Sequence, residues 1–131
     1  MKEPRTRVVV TGMGAITPLG HDVASTWQGL SHGKSGVAQI TLFDASPLQT
    51  QIAAEVKDFD PVAHFGRREA RWYDRFIQFA LVAAEEAIDD SGLTFGNGAS
   101  ERTGVIVGSG VAAHEGYVKK PCRIHISLEI P

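Results

Sequence analysis

The sequence has only one cysteine, Cys122, among its 131 residues. An intrachain disulfide is therefore impossible, and zinc sites built from several cysteines are excluded. No stretch approaches the roughly 20 consecutive apolar residues of a membrane-spanning helix, and the opening residues lack the apolar core of a signal peptide. The sequence thus predicts a reducing, cytoplasmic setting without membrane association.

The net charge of the chain is also small. Thirteen basic and fifteen acidic side chains leave a formal charge of -2, which gives no general attraction for nucleic acid or anionic lipid. The charged fraction of 21 % is too low for a disordered chain, and 43 % apolar residues suffice for a buried core. One compact unit is expected.

Two β-branched apolar segments end in glycines: RVVVTGMG at residues 7–14 and GVIVGSG at residues 104–110. Such runs are typical of strands buried on both faces of a parallel sheet. With helical patterns between them, they indicate an α/β layered fold. Residues 34–47 show no sustained hydrophobic period, and no helix or strand is predicted there.

Several elements are predicted between these segments: a helix over 23–31, a marginal strand over 51–56, a helical turn over 61–65 that Gly66 ends, and a long helix over 67–91. Asp22 is the N-cap of the first helix and Gly33 follows its end. The long helix has apolar residues three and four apart, and Gly92 stops it. Its expected length is about 35 Å.

The glycine motifs do not match nucleotide sites. A dinucleotide loop beginning at Gly12 would need a third glycine where Thr17 stands, and residues 108–110 lack the lysine of a phosphate loop. Tight turns after strands are therefore expected, with no cofactor. A nucleotide-dependent reductase is the most distant alternative.

No catalytic or metal site is predicted from cysteine and histidine. Cys122 and His125 are three positions apart, a spacing that does not set the geometry of a thiolate and its base, and their neighbours are basic. The other histidines are scattered, and no pair has the spacing of a helical metal site.

Charge along the predicted long helix opposes the helix dipole. Arginines lie at its start and acids at its end: Arg67, Arg68, Arg71 and Arg75, then Glu85, Glu86, Asp89 and Asp90. Arg68, Arg71 and Arg75 are expected on one face. Two interpretations stay open: guanidinium groups that bind an acidic partner, or a solvated face on which Glu69 and Asp74 pair with them.

Five segments together carry a resemblance: RVVVTGMGAITPLG at 7–20, STWQGLSHGKSGV at 25–37, VKDFDP at 56–61, DRFIQFALVAAEEAIDDSGL at 74–93 and RTGVIVGSGV at 102–111. In unbroken order, over about residues 5–111, they resemble the N-terminal part of β-ketoacyl-acyl-carrier-protein synthases, type II above all. Several matching segments are far more specific than one glycine motif.

This resemblance implies an α/β, thiolase-like layered fold (αβαβα), present as an incomplete N-terminal portion. Residues 1–111 form the partial synthase region and residues 112–131 a divergent tail. The family is an acyltransferase of fatty acid elongation: it condenses an acyl thioester with malonyl carrier protein by a decarboxylative Claisen reaction, as a homodimer. No cofactor or metal is implied.

The resemblance also implies roles for single residues. Arg68 and Arg71 match basic residues that contact the acidic acyl carrier protein, while Trp72 stands where relatives are often basic. Val111 matches an aliphatic residue bordering the acyl pocket. The catalytic cysteine and two histidines follow the matched region, so no catalytic residue is assigned. The chain alone is expected to be inactive, or else to be a non-catalytic module that binds carrier protein or an intact synthase subunit.

Overall fold

The computed structural model describes residues 7–95 and 102–108. Its elements, in chain order, are α1 (Val23–Ser31), β1 (Val37–Gln39), β2 (Ile52–Ala54), α2 (Pro61–Glu69) and α3 (Arg75–Ser91). The two strands pair antiparallel, with Ala38 opposite Ala53. Within these residues, none of the helices is both long and apolar enough to cross a bilayer.

Helix α1 has the predicted bounds because its capping residues act as expected. The Asp22 carboxylate accepts a hydrogen bond from the Ser25 backbone N–H at 2.6 Å, and this bond is the main reason that the pKa of Asp22 is lowered. After the helix, Gly33 adopts a left-handed conformation with φ of 64°. Both ends are therefore set by local chemistry.

The sequence predicted one of the two strands of the β1–β2 hairpin. Strand β2 lies inside the expected 51–56 segment, whereas β1 falls where no element was expected. Beyond the strands, the Glu55 carboxylate accepts hydrogen bonds from the Thr41 hydroxyl at 2.7 Å and from the Thr41 and Leu42 backbone N–H groups. The bond from the Thr41 hydroxyl is the main cause of the lowered pKa of Glu55. One carboxylate thus links the segment after β1 to the residue that follows β2.

The prediction of one continuous helix over 67–91 is wrong at its N-terminal end. Gly66 has φ of 72° and ψ of 168°, so α2 changes direction there, and it ends at Glu69. A turn follows before α3 begins. Helix α3 is 17 residues, about 25 Å, rather than the expected 35 Å. The break lies at residues 70–74, where the extended backbone of Asp74, the N-cap of α3, interrupts the helical hydrogen bonding.

The turn between α2 and α3 is held by a buried polar side chain. Gln78, only 5 % exposed, donates hydrogen bonds from its amide nitrogen to the Ala70 carbonyl at 3.0 Å and the Tyr73 carbonyl at 2.9 Å. Carbonyl groups that lack a helical partner are satisfied in this way. The turn therefore has a defined backbone despite its exposed side chains.

The two predicted buried strands do not form among the described residues. Residues 7–14 have no strand partner there, and Val8 is 91 % exposed. Residues 104–108 likewise have no partner within the described ranges, and Ile106 is 96 % exposed. A strand buried on both faces needs neighbouring strands in a sheet that is covered on both faces. The only described sheet is the small hairpin. Residues 109 and 110 lie outside the described ranges.

A cluster of rings joins the loops before α1 and α2 to helices α2 and α3. Buried Phe59 packs edge-on against Phe79, with ring centres 4.9 Å apart, and stacks on His64 at 5.1 Å. His21 approaches Phe59 edge-on and donates from Nε2 to the Lys57 carbonyl at 2.8 Å. This cluster fixes the start of α3 relative to the loop before α2.

Candidate functional site

The N-terminal segment lies directly on α3, and its glycines permit the contact. A Cβ on Gly12 would come within 2.6 Å of the Ser91 backbone nitrogen. A Cβ on Gly14 would come within 2.9 Å of the Ala87 backbone nitrogen and would strike the Ala83 carbonyl. Since real Cβ atoms do not approach so closely, Gly12 and Gly14 serve backbone packing against a helix face of small residues.

Two carboxylates of α3, Glu86 and Asp90, hold the same segment; we call this pair the carboxylate staple. Asp90 accepts a hydrogen bond from the Met13 N–H at 2.9 Å. Glu86 accepts one from the Ala15 N–H at 2.8 Å with one oxygen, and one from the Val23 N–H at 2.7 Å with the other. Because the acids are four residues apart, they lie on one helix face.

The staple explains two of the four acids, Glu86 and Asp90, at the end of α3 that opposes the helix dipole. Sequence reasoning missed it because the amide partners lie 63 to 77 positions earlier in the chain. Val23 is the first residue of α1, whose N–H has no partner inside its own helix. Glu86 therefore also stabilises the positive end of a second helix.

A cavity of about 700 Å³ opens beside the staple, between α1 and α3. Trp27 and Val82 form apolar parts of its wall, while Glu85 and Asp89 place exposed carboxylates at its rim. Within the described chain, no three acidic, histidine or cysteine side chains are grouped closely enough to hold a metal ion.

Basic side chains collect at the end of α2 and in the turn after it; we call residues 67–72 the arginine turn. The exposed members are Arg67, Arg68, Glu69, Arg71 and Trp72. In the described ranges, the guanidinium groups of Arg68 and Arg71 have no hydrogen-bonding or ionic partner, and Glu69 does not pair with them. The arginines are therefore available to a partner.

The expectation that Arg68, Arg71 and Arg75 share one helix face is wrong, because the helix is interrupted between them. Arg75 is exposed but engaged within the chain: its guanidinium donates to the Val56 carbonyl at 2.6 Å and lies 4.9 Å from the Phe79 ring centre. Only Arg68 and Arg71 remain of that proposed trio. Their grouping depends on the turn rather than on helical periodicity.

Several sequence predictions lie outside the described residues. Val111, with its expected place at the acyl pocket, is one of them. The same holds for the divergent tail at 112–131, including Cys122 and His125.

Comparison with known proteins gives consistent matches. The family model described as "Beta-ketoacyl synthase, N-terminal domain" matches residues 5–124. The 3-oxoacyl-[acyl-carrier-protein] synthase 2 of Coxiella burnetii is 50 % identical over 107 residues, covering 82 % of this chain and 26 % of the relative. The synthase of the same name from Staphylococcus aureus strain N315 is 42 % identical over 111 residues, 85 % of this chain and 27 % of the relative.

Solved structures agree. A β-ketoacyl synthase from Burkholderia phymatum STM815 superposes with a TM-score of 0.67 at 30 % identity, covering 85 % of this chain and 28 % of that one. The ishigamide ketosynthase/chain length factor superposes with a TM-score of 0.56 at 38 % identity, covering 70 % of this chain and 23 % of that one. The chain spans about a quarter of the length of these relatives, and the predicted thiolase-like fold is confirmed as a partial domain. The chain belongs to the β-ketoacyl synthase family and represents part of its N-terminal domain.

Proposed function

We propose that this chain is the N-terminal portion of a 3-oxoacyl-acyl-carrier-protein synthase of fatty acid elongation. The observation that carries the proposal is the family match over residues 5–124, supported by curated relatives of that name. The activity of such a synthase is the decarboxylative condensation of an acyl thioester with malonyl carrier protein. Within this proposal, residues 1–111 form the synthase region and residues 112–131 a divergent tail, and Val111 borders the acyl pocket. The synthase is a cytoplasmic homodimer that needs no cofactor.

The role we propose for the described residues is docking of the acidic acyl carrier protein on the arginine turn. Arg68 and Arg71 expose unpaired guanidinium groups on a backbone that Gln78 holds in place. Guanidinium groups form strong, charge-assisted hydrogen bonds to carboxylates. Because these two side chains are unpaired within the described ranges, binding an acidic partner breaks no ion pair there.

Reversing both charges, with Arg68→Glu and Arg71→Glu, is expected to weaken carrier-protein binding about tenfold or more at low salt, with a smaller effect at high salt. The measurement is a titration of the purified chain with a bacterial acyl carrier protein at two ionic strengths. The matched control is Lys34→Glu with Lys57→Glu, which makes the same charge change at two other exposed positions. Equal affinities of the two double variants would refute docking at the arginine turn.

We further propose that the 131-residue chain does not itself catalyse condensation. Cys122 lies in the context KKPCRIH and lacks the small-residue surroundings of the family's nucleophile. With acyl and malonyl carrier proteins supplied, we expect no 3-oxoacyl product above the protein-free background, while an intact relative gives product. Product formation by the purified chain would contradict this. Carrier-protein binding without catalysis would mark the chain as a binding module.

A further inference from the structure

The arginine turn also carries an exposed aromatic side chain. Trp72 is 79 % exposed and follows Arg71 directly. In the described ranges its indole has no ring contact, unlike Phe65 and Tyr73 nearby, whose rings pack edge-on at 5.8 Å. A large aromatic surface left in water next to exposed arginines is typical of an interaction surface.

The backbone beneath Trp72 is already ordered. The Trp72 N–H donates to the Glu69 carbonyl at 2.9 Å, and Gln78 binds the carbonyls on either side of the turn. An indole presented in this way loses only its two side-chain torsions on binding. Preorganisation of this kind lowers the entropic cost of association.

We propose that Trp72 is the apolar anchor of the docking surface, and that it packs against an apolar side chain lying among carboxylates on the acyl carrier protein. Arg68 and Arg71 then pair with those carboxylates around it. An aromatic anchor surrounded by charged contacts is the usual arrangement of binding energy in protein interfaces. The inference rests on the proposed docking function and specifies its chemistry, because an apolar contact replaces the basic one expected at this position.

The chain provides its own test because it has two tryptophans, Trp27 and Trp72. Trp27 is 69 % exposed but lines the cavity between α1 and α3, away from the arginine turn. Tryptophan fluorescence of the Trp27→Phe variant therefore comes from Trp72 alone, and that of the Trp72→Phe variant comes from Trp27 alone. On titration with a tryptophan-free bacterial acyl carrier protein, emission is expected to shift to the blue in the first variant and to stay constant in the second.

Affinity gives a second measurement. Trp72→Ala is expected to weaken binding about tenfold with little dependence on salt, whereas Trp72→Phe retains most of the affinity and Trp27→Ala all of it. Trp72→Lys is expected to bind with a steeper salt dependence, because an ionic contact is then restored. Circular dichroism of each variant confirms that the fold is unchanged.

The two proposals fail in different ways. If binding depends on Arg68 and Arg71 but the Trp72 emission and the Trp72→Ala affinity are unchanged, the anchor is refuted and the docking surface stands. If the wild-type chain does not bind carrier protein, or binds regardless of the arginine reversal, both proposals fall.

Discussion

Gly14→Ala is expected to destabilise the chain by about 3 to 5 kcal/mol. The new Cβ would strike the Ala83 carbonyl and come within 2.9 Å of the Ala87 backbone nitrogen. These are backbone atoms inside α3, so they cannot move aside as the end of a flexible side chain would. Relief requires residues 12–15 to lift from the helix, which also breaks the bonds from Met13 and Ala15 to the carboxylate staple.

The measurement for Gly14→Ala is urea unfolding followed by circular dichroism. The matched control is Gly104→Ala, because a Cβ at Gly104 meets nothing within 4 Å. We expect the control to change stability by less than about 0.5 kcal/mol. If the two variants unfold at the same urea concentration, the close contact between the N-terminal segment and α3 is not a determinant of stability.

Glu86→Gln is expected to cost about 2 kcal/mol, since hydrogen bonds to a charged group are worth roughly 1.5 to 3 kcal/mol each when buried and this side chain is half-buried. Both carboxylate oxygens accept from backbone N–H groups, of Ala15 and Val23. A glutamine amide has only one acceptor oxygen, so one of the two N–H groups would face another donor. The favourable charge at the start of α1 is lost as well.

The neighbouring variant Glu85→Gln provides the control, because Glu85 is exposed at the cavity rim. Amide hydrogen exchange at Ala15 and Val23 reads the interaction directly. A loss of 2 kcal/mol corresponds to exchange about 30-fold faster at these two amides in Glu86→Gln. Unaltered exchange at both amides, or an equal acceleration in Glu85→Gln, would contradict the staple.

What the sequence predicted well was local. Helix α1 follows from Asp22 and Gly33, and α3 ends at Gly92 as expected, because caps depend on neighbouring residues only. The α2 start follows from Asp60, whose carboxylate accepts from the Val62 N–H at 2.9 Å. The family resemblance carried the fold class further than periodicity did, since it combined five segments.

What the sequence could not predict depends on distant contacts. Strand β1 has three residues without alternation in sequence, and its register depends on partners 13 to 17 positions away. The acids at the end of α3 appeared misplaced because helix dipole arguments consider one helix alone. The arginine grouping failed because the turn over residues 70–74, which the Gln78 contacts hold, interrupts the helix between Arg71 and Arg75.

The bond between the Met13 N–H and Asp90 joins residues 77 positions apart, which has a consequence for synthesis on the ribosome. At about 5 to 20 residues per second, the N-terminal segment waits roughly 4 to 15 s before its helix has been made. During that interval residues 12–15 lack both the helix on which they pack and the carboxylates that accept from the Met13 and Ala15 N–H groups. These backbone groups therefore stay hydrated until α3 has been made, and slowing translation before α3 lengthens that interval.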